Sequence, residues 1–365
     1  MLANFLIFLS PFSLFSIKVM GFELYPQYLF FPLGFILILS RLCKGRTFFL
    51  TRSSLIFISF LFLLVSSVLT RLYLFADLFK IIIMLVSFWG IRYSARKDFK
   101  TFSNIVDISI CVLVLYGLFQ YIMVLFGKTS AASWLHEVIG YEGHGGPVDS
   151  RGGVTRVASL TKEPSYFAFI VGIYFFITKK NLVKVACAIG MLISFSLITI
   201  YSVSGIAFYR FCKFLKIKPI YIFFIIVAVH ILFVLLYFEI IPEILLPTFE
   251  ERYAGIVYLI SDGSLLAWLF GAFQITSDSP VNLVHPYSNI GSILLIYGVI
   301  GMTLYLFFFD SIAKKCRYPY AVYALFLFGI NFYYLTAWPI ILIFFVFFLL
   351  PQDNNAQIQC CHTSL

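Results

Sequence analysis

The densest chemistry in this 365-residue sequence lies in one run, T-R-V-A-S-L-T-K-E-P-S-Y-F-A-F, where Arg156, Lys162 and Glu163 precede Pro164. Two cations so close together suit an anion. A guanidinium can grip two phosphate oxygens at once, which an ammonium cannot. Arg156 and Lys162 are therefore candidate binding residues, joined by Arg151 earlier in the same stretch, with Glu163 orienting a cation or a substrate hydroxyl. A plainer account also exists for Glu163. Proline suits the first turn of a helix, and a carboxylate just ahead of it complements the helix dipole.

Two further positions belong to the candidate set. Arg252 stands in F-E-E-R-Y-A-G, where it either contributes a second cation or pairs with Glu250 or Glu251 as a solvated loop residue. His285, in N-L-V-H-P-Y-S-N, can accept a proton near neutral pH, or can serve only as an interfacial hydrogen-bonding group. His136 and His144 are weaker candidates. Asp77, Lys80, Asp107 and His230 fall inside apolar stretches, where packing or helix pairing is the expected role. The cysteines show no zinc-ligand spacing and the long loops hold no Asp-rich motif, so chemistry without metal or cofactor is expected.

The elements that must position these residues are apolar helices. Hydrophobic residues make up 62% of the chain and charged residues 12%, against about half and about a quarter in a soluble domain. Stretches of about 20 uncharged residues match a hydrocarbon core of about 30 Å. Twelve spans are expected at about 4–20, 25–40, 53–70, 72–91, 102–126, 164–178, 185–201, 203–212, 219–238, 286–309, 319–336 and 338–350. The start, MLANFLIFLSPFSLFS, has no basic n-region or A-x-A site and reads as a retained first helix. Basic residues concentrate in alternate short loops, such as Arg92, Arg96, Lys97 and Lys100, which places those loops and both termini in the cytoplasm. The net charge of +10 is thus a topology signal, and nucleic acid is not an expected partner. Cysteines avoid the opposite face, so no disulfide framework is expected. The fold class is all-α: one transmembrane domain over 1–350, a cytoplasmic tail over 351–365, and two large external loops at 127–162 and 239–284. Long loops on such a scaffold are where function usually sits.

The R-V-A-S-L-T-K-E-P-S-Y-F-A-F run resembles a segment of the O-antigen polymerase and ligase superfamily, in which an arginine-bearing loop leads into a Glu-Pro or Asn-Pro helix start. The stretch from His285 to Gly301 is similar to the family's external histidine followed by an apolar helix ending in G-x-x-G, and Arg252 matches the arginine of the intervening loop. Pro286 stands where the ligase-like pattern has asparagine, with Asn289 three residues later. The resemblance implies a metal-independent membrane glycosyltransferase of the bacterial inner membrane. Its substrate would be an oligosaccharide on undecaprenyl pyrophosphate, polymerised at the external face. Implied catalytic residues are His285, Glu163 and Arg252, and implied binding residues are Arg156, Lys162, Arg151 and Tyr253, the last by stacking on a sugar ring. Membrane lipid and a chain-length regulator protein are the implied partners. Two alternatives stay open: an O-antigen ligase acting on lipid A core, and, from another class, a lipid-linked oligosaccharide flippase or transporter.

Overall fold

The computed structural model describes residues 1–19, 22–43, 59, 62, 65, 68–69, 71, 74–139, 148–151, 154–196, 207–240, 246–261, 263–280, 283, 288–331 and 338–350. The side chains of Asp77, Arg151, His230 and Arg252, the whole of His285 and the tail at 351–365 lie outside that description, as does most of the expected span at 53–70. The described chain is α-helical apart from two small antiparallel hairpins.

The first expected span, 4–20, is not a single helix. α1 (Leu2–Phe8) stops after seven residues. Pro11 has no N–H to continue the ladder, and its ring would meet the carbonyl of Ile7 four residues back. Instead the Ser10 hydroxyl donates to Ile7 O at 2.6 Å, and the chain reverses through β1 (Ile17–Val19) and β2 (Phe22–Leu24). A 3-10 turn at Pro26–Phe30 leads into α2 (Phe31–Cys43), which packs against α3 (Phe75–Lys97).

α4 (Phe99–Leu125) is the ruler of the fold, about 40 Å long at 1.5 Å per residue. Asp98 caps it by accepting from Thr101 N at 3.0 Å, and those hydrogen bonds hold the Asp98 carboxyl below its ordinary pKa. One face, with Phe102, Val106, Ile110, Leu113 and Gly117, is buried, while Ile108, Leu115, Phe119 and Ile122 stand exposed on the other. A helix apolar all round that protein covers on only one side is suited to lipid. By length and composition, α4, the Leu78–Lys97 part of α3 and the later helix Asn289–Lys315 are apolar enough to cross a membrane.

After α4 come α5 (Thr129–Val138), the hairpin β3 (Val148–Arg151) and β4 (Val154–Val157), then α6 (Pro164–Ile177) and α7 (Asn181–Ser194). α6 forms the centre of the core: Phe167 to Tyr174 are all buried, and Phe169 meets Phe328 edge-on at 5.0 Å. Its far end is pinned to α4 through Asp107, which accepts from Tyr174 Oη at 2.8 Å and Thr178 Oγ1 at 2.9 Å and pairs with Lys180 at 3.0 Å. This is the helix-pairing role expected for an acid in an apolar stretch.

The remaining helices are α8 (Pro219–Ile240), α9 (Leu246–Ser261), α10 (Leu265–Phe270), α11 (Asn289–Lys315), α12 (Pro319–Asn331) and α13 (Trp338–Leu349). The expected tenth span, 286–309, is broken. Gly298 has φ 63° and ψ −163°, a conformation essentially reserved for glycine, inside α11. Asn289 Nδ2 donates to Tyr305 Oη at 2.8 Å, yet a straight helix would hold these residues about 24 Å apart. The two arms of α11 therefore fold back on each other. A Cβ at Gly298 would collide with the backbone of Trp268 and Leu269, so α10 closes tightly over the elbow.

Candidate functional site

The residues singled out in the sequence begin on β4. Arg156 lies opposite Asp149 in the hairpin register, and its Nε donates to Ser194 O at 3.4 Å, at the C-terminal end of α7. A cation there is favoured by the partial negative charge of the helix end. From Val157 to Lys162 the chain is buried, an unusual place for a loop, because buried backbone polar groups must all find partners.

The turn meets that demand with named bonds. Ser159 adopts φ 56°, its N–H donates to Gln120 Oε1 at 2.7 Å, and its hydroxyl donates to Leu113 O. The Thr161 hydroxyl lies 2.6 Å from Ala158 O and 2.8 Å from Glu163 O, and shares its single proton between the two carbonyls. Lys162 N donates to Ser13 Oγ at 3.2 Å, and Leu14 N to Leu160 O at 3.3 Å, so the stretch after α1 lies alongside. Gly117 leaves room for Ser159 Cβ and the Phe167 ring, both of which a side chain at 117 would press against. Measured along α4, Leu113 lies about 18 Å before the helix end at Leu125. The turn is thus sunk well below that end, between apolar helices.

Lys162 is only 5% exposed, with its ammonium 5.5 Å from the centre of the Tyr25 ring. The Lys162 side chain is turned inward onto an aromatic face. Glu163 is half-buried, is the N-cap of α6 ahead of Pro164, and accepts from Ser165 Oγ at 3.1 Å. The Glu-Pro helix start read from the sequence is present.

Tyr253 departs from expectation. Its ring is 3% exposed and belongs to the core where α9 packs on α11, so it offers no open face for stacking on a sugar. Trp134 on α5 is about half exposed, and Tyr258 Oη donates to Gln274 Oε1 at 3.0 Å. Arg252 is placed on α9 by its backbone, and Arg151 on β3; their side chains, with His285, Tyr141 and His144, are outside the described residues. Arg156 thus lies on β4 and Lys162 and Glu163 on the turn that follows it, and the geometry of all three toward Arg252 and His285 lies outside the described residues.

Two residues gain a role that sequence reasoning did not give them. His136 on α5 is 1% exposed and its Nε2 lies 3.0 Å from Thr161 O, in the middle of the buried turn. Burial holds its imidazole below the ordinary histidine pKa, and the Thr161 carbonyl offsets part of that. Arg71, expected in a short loop, is 3% exposed; its Nη1 donates to Ile296 O at 3.1 Å and its guanidinium lies 4.9 Å from the Phe273 ring. The Gly298 break frees the carbonyls that precede it: Ile296 O takes Arg71, and Leu295 O takes Ala272 N at 2.8 Å. A clue to His136 lay in its spacing: it shares a helix face with Ala132, which is buried too. Nothing local to Arg71 marks its partner, 225 residues away.

Among the described residues, no group of three or more His, Cys, Asp or Glu side chains is arranged to hold a metal ion. Compared with protein-family models, with curated proteins and with solved structures, the chain matches none.

Proposed function

We propose that this chain is a membrane glycosyltransferase that polymerises undecaprenyl-pyrophosphate-linked oligosaccharide repeats into O-antigen or a related surface polysaccharide. In this reading it crosses the bacterial inner membrane about twelve times, keeps both termini in the cytoplasm and works at the external face. The observation that carries the reading is the seat of the Arg156–Glu163 stretch: two cations and a carboxylate, held by hydrogen bonds among apolar helices, below the end of α4. A lipid pyrophosphate keeps its chains in the hydrocarbon and its charge at the membrane surface, so a cationic stretch bordered by apolar helices suits it.

The chemistry asked of these groups is limited. The acceptor hydroxyl attacks the anomeric carbon of the donor, the bond from that carbon to pyrophosphate breaks, and undecaprenyl pyrophosphate leaves. Arg156 and Arg252 stabilise the negative charge gathering on the leaving phosphate, where preorganised donors act more strongly than water does. The hydroxyl proton passes to His285 or Glu163. Lys162 joins the site if it swings from Tyr25 toward the anion. Deleting the gene tests the proposal through the length ladder of surface polysaccharide. Loss of a polymerase leaves single repeats on the core, whereas loss of a ligase leaves bare core, and an unaltered ladder excludes both.

A further inference from the structure

We propose that His136 is a positioning residue for this site: through the Thr161 carbonyl, its imidazole fixes the turn that presents Lys162 and Glu163. The inference rests on the proposed glycosyltransferase reading for what the turn does, but its geometry stands apart from that reading. α5 meets the buried turn by two hydrogen-bonded routes. One runs from Ala132 O, which accepts from Gln120 Nε2 at 2.9 Å, through the same glutamine's Oε1 to Ser159 N at 2.7 Å. The other is the direct contact of His136 Nε2 with Thr161 O at 3.0 Å. The two contacts grip the turn at the left-handed Ser159 and at Thr161, whose hydroxyl lies within hydrogen-bonding distance of both Ala158 O and Glu163 O.

A carbonyl only accepts, so the imidazole must carry its proton on Nε2 to hold Thr161. The link is therefore directional. It also lies next to the working groups: the Thr161 carbonyl belongs to the peptide bond shared with Lys162, and Glu163 follows at once. Rotation of that peptide redirects both side chains. Buried donors and acceptors are costly to leave unmet, so a group placed at 136 without a reachable donor would let the turn shift to find another.

The test compares His136→Gln with His136→Asn. A glutamine amide reaches about as far as Nε2, whereas asparagine is one methylene short, and both keep a polar group in the space. With purified protein and lipid-linked repeat units, we expect Gln to retain most of the wild-type kcat/KM. Asn should lose up to about 10²-fold, the scale for misplacing a reacting group by about 1 Å. In parallel, Lys162→Cys is placed in each background of an otherwise cysteine-free chain and its labelling rate by a small thiol reagent is measured. Faster labelling in the Asn background but not in Gln supports the latch. Equal behaviour of Gln and Asn, whether both active or both dead, overturns it, since polar filling or direct proton chemistry would then explain the histidine. Should wild-type protein make no polymer, the glycosyltransferase reading fails by itself, and the labelling comparison still decides the role of His136.

Discussion

Arg156 on β4 and Lys162 on the turn after it are held by opposite means, one by a helix-end carbonyl and the other by an aromatic ring. Arg156 is thus tied to a helix end whose partial negative charge favours a cation, and a phosphate would have to compete with Ser194 O for its donors. Arg156→Ala and Arg252→Ala are each expected to abolish polymer while the protein still reaches the membrane at normal levels. Arg→Lys should restore activity only in part, because a point charge replaces a planar fork. A full ladder from either alanine variant removes that residue from the site. His285 is tested by substitution across pH: a general base predicts that Ala and Gln both lower turnover by roughly 10²–10⁴-fold. Retention of activity by Gln assigns the histidine to hydrogen bonding and leaves Glu163 as the base. His136 gives a separate pH signature in stability. Its folded pKa lies below 6.5, so as pH falls the unfolded chain takes up the proton first. Its contribution is full above pH 6.5 and is lost progressively below it, so wild-type Tm should fall more than that of His136→Gln on acidification. Parallel curves would show that this imidazole does not titrate between the folded and unfolded states.

At the scale of elements, apolar runs were legible and breaks were not. The expected spans at 102–126, 164–178 and 338–350 correspond closely to α4, α6 and α13, because each is an uninterrupted apolar stretch with a start signal such as Asp98 or Pro164. Pro11 did signal the end of α1, but the surrounding apolar residues outweighed it in a reading based on hydropathy. Gly298 gave no such warning. Glycine is common in membrane helices, and what makes this one an elbow is the α10 backbone lying against it. Gly298→Ala should destabilise the purified protein by at least about 1–3 kcal/mol, the cost of a conformation closed to side chains, and lower its Tm. An unchanged Tm would mean that α11 can straighten. The turn at 158–163 was found as a site by its residue types, but its burial was hidden. Its partners Leu113, Gln120 and His136 come from α4 and α5, and pattern within the loop carries no trace of them.

For the whole molecule, three helices among the described residues are long and apolar enough by composition to cross a membrane, one of them, α11, being broken at Gly298, and the twelve-crossing topology is a proposal built from the spacing of basic loops. Asn4 and Ile7 line one cleft with Tyr93, Lys97 and Thr101, so α1 lies beside the junction of α3 and α4. A cysteine introduced at Ser133 should react with an impermeant thiol reagent in intact spheroplasts, while one at Ser94 should not. The reverse pattern would invert the topology and every assignment made from it. Arg252 and His285 were legible only as motifs: Arg252 falls on α9, while its side chain and the whole of His285 lie outside the described residues. The central claim, that these groups together join lipid-linked sugar repeats, is met most directly by purified protein in lipid vesicles supplied with undecaprenyl-pyrophosphate-linked repeat units alone. The account predicts a ladder of polymer with one undecaprenyl pyrophosphate released per bond formed, and its loss in Arg156→Ala. Intact repeat units after incubation with well-folded wild-type protein, or an undiminished ladder from Arg156→Ala, would contradict it.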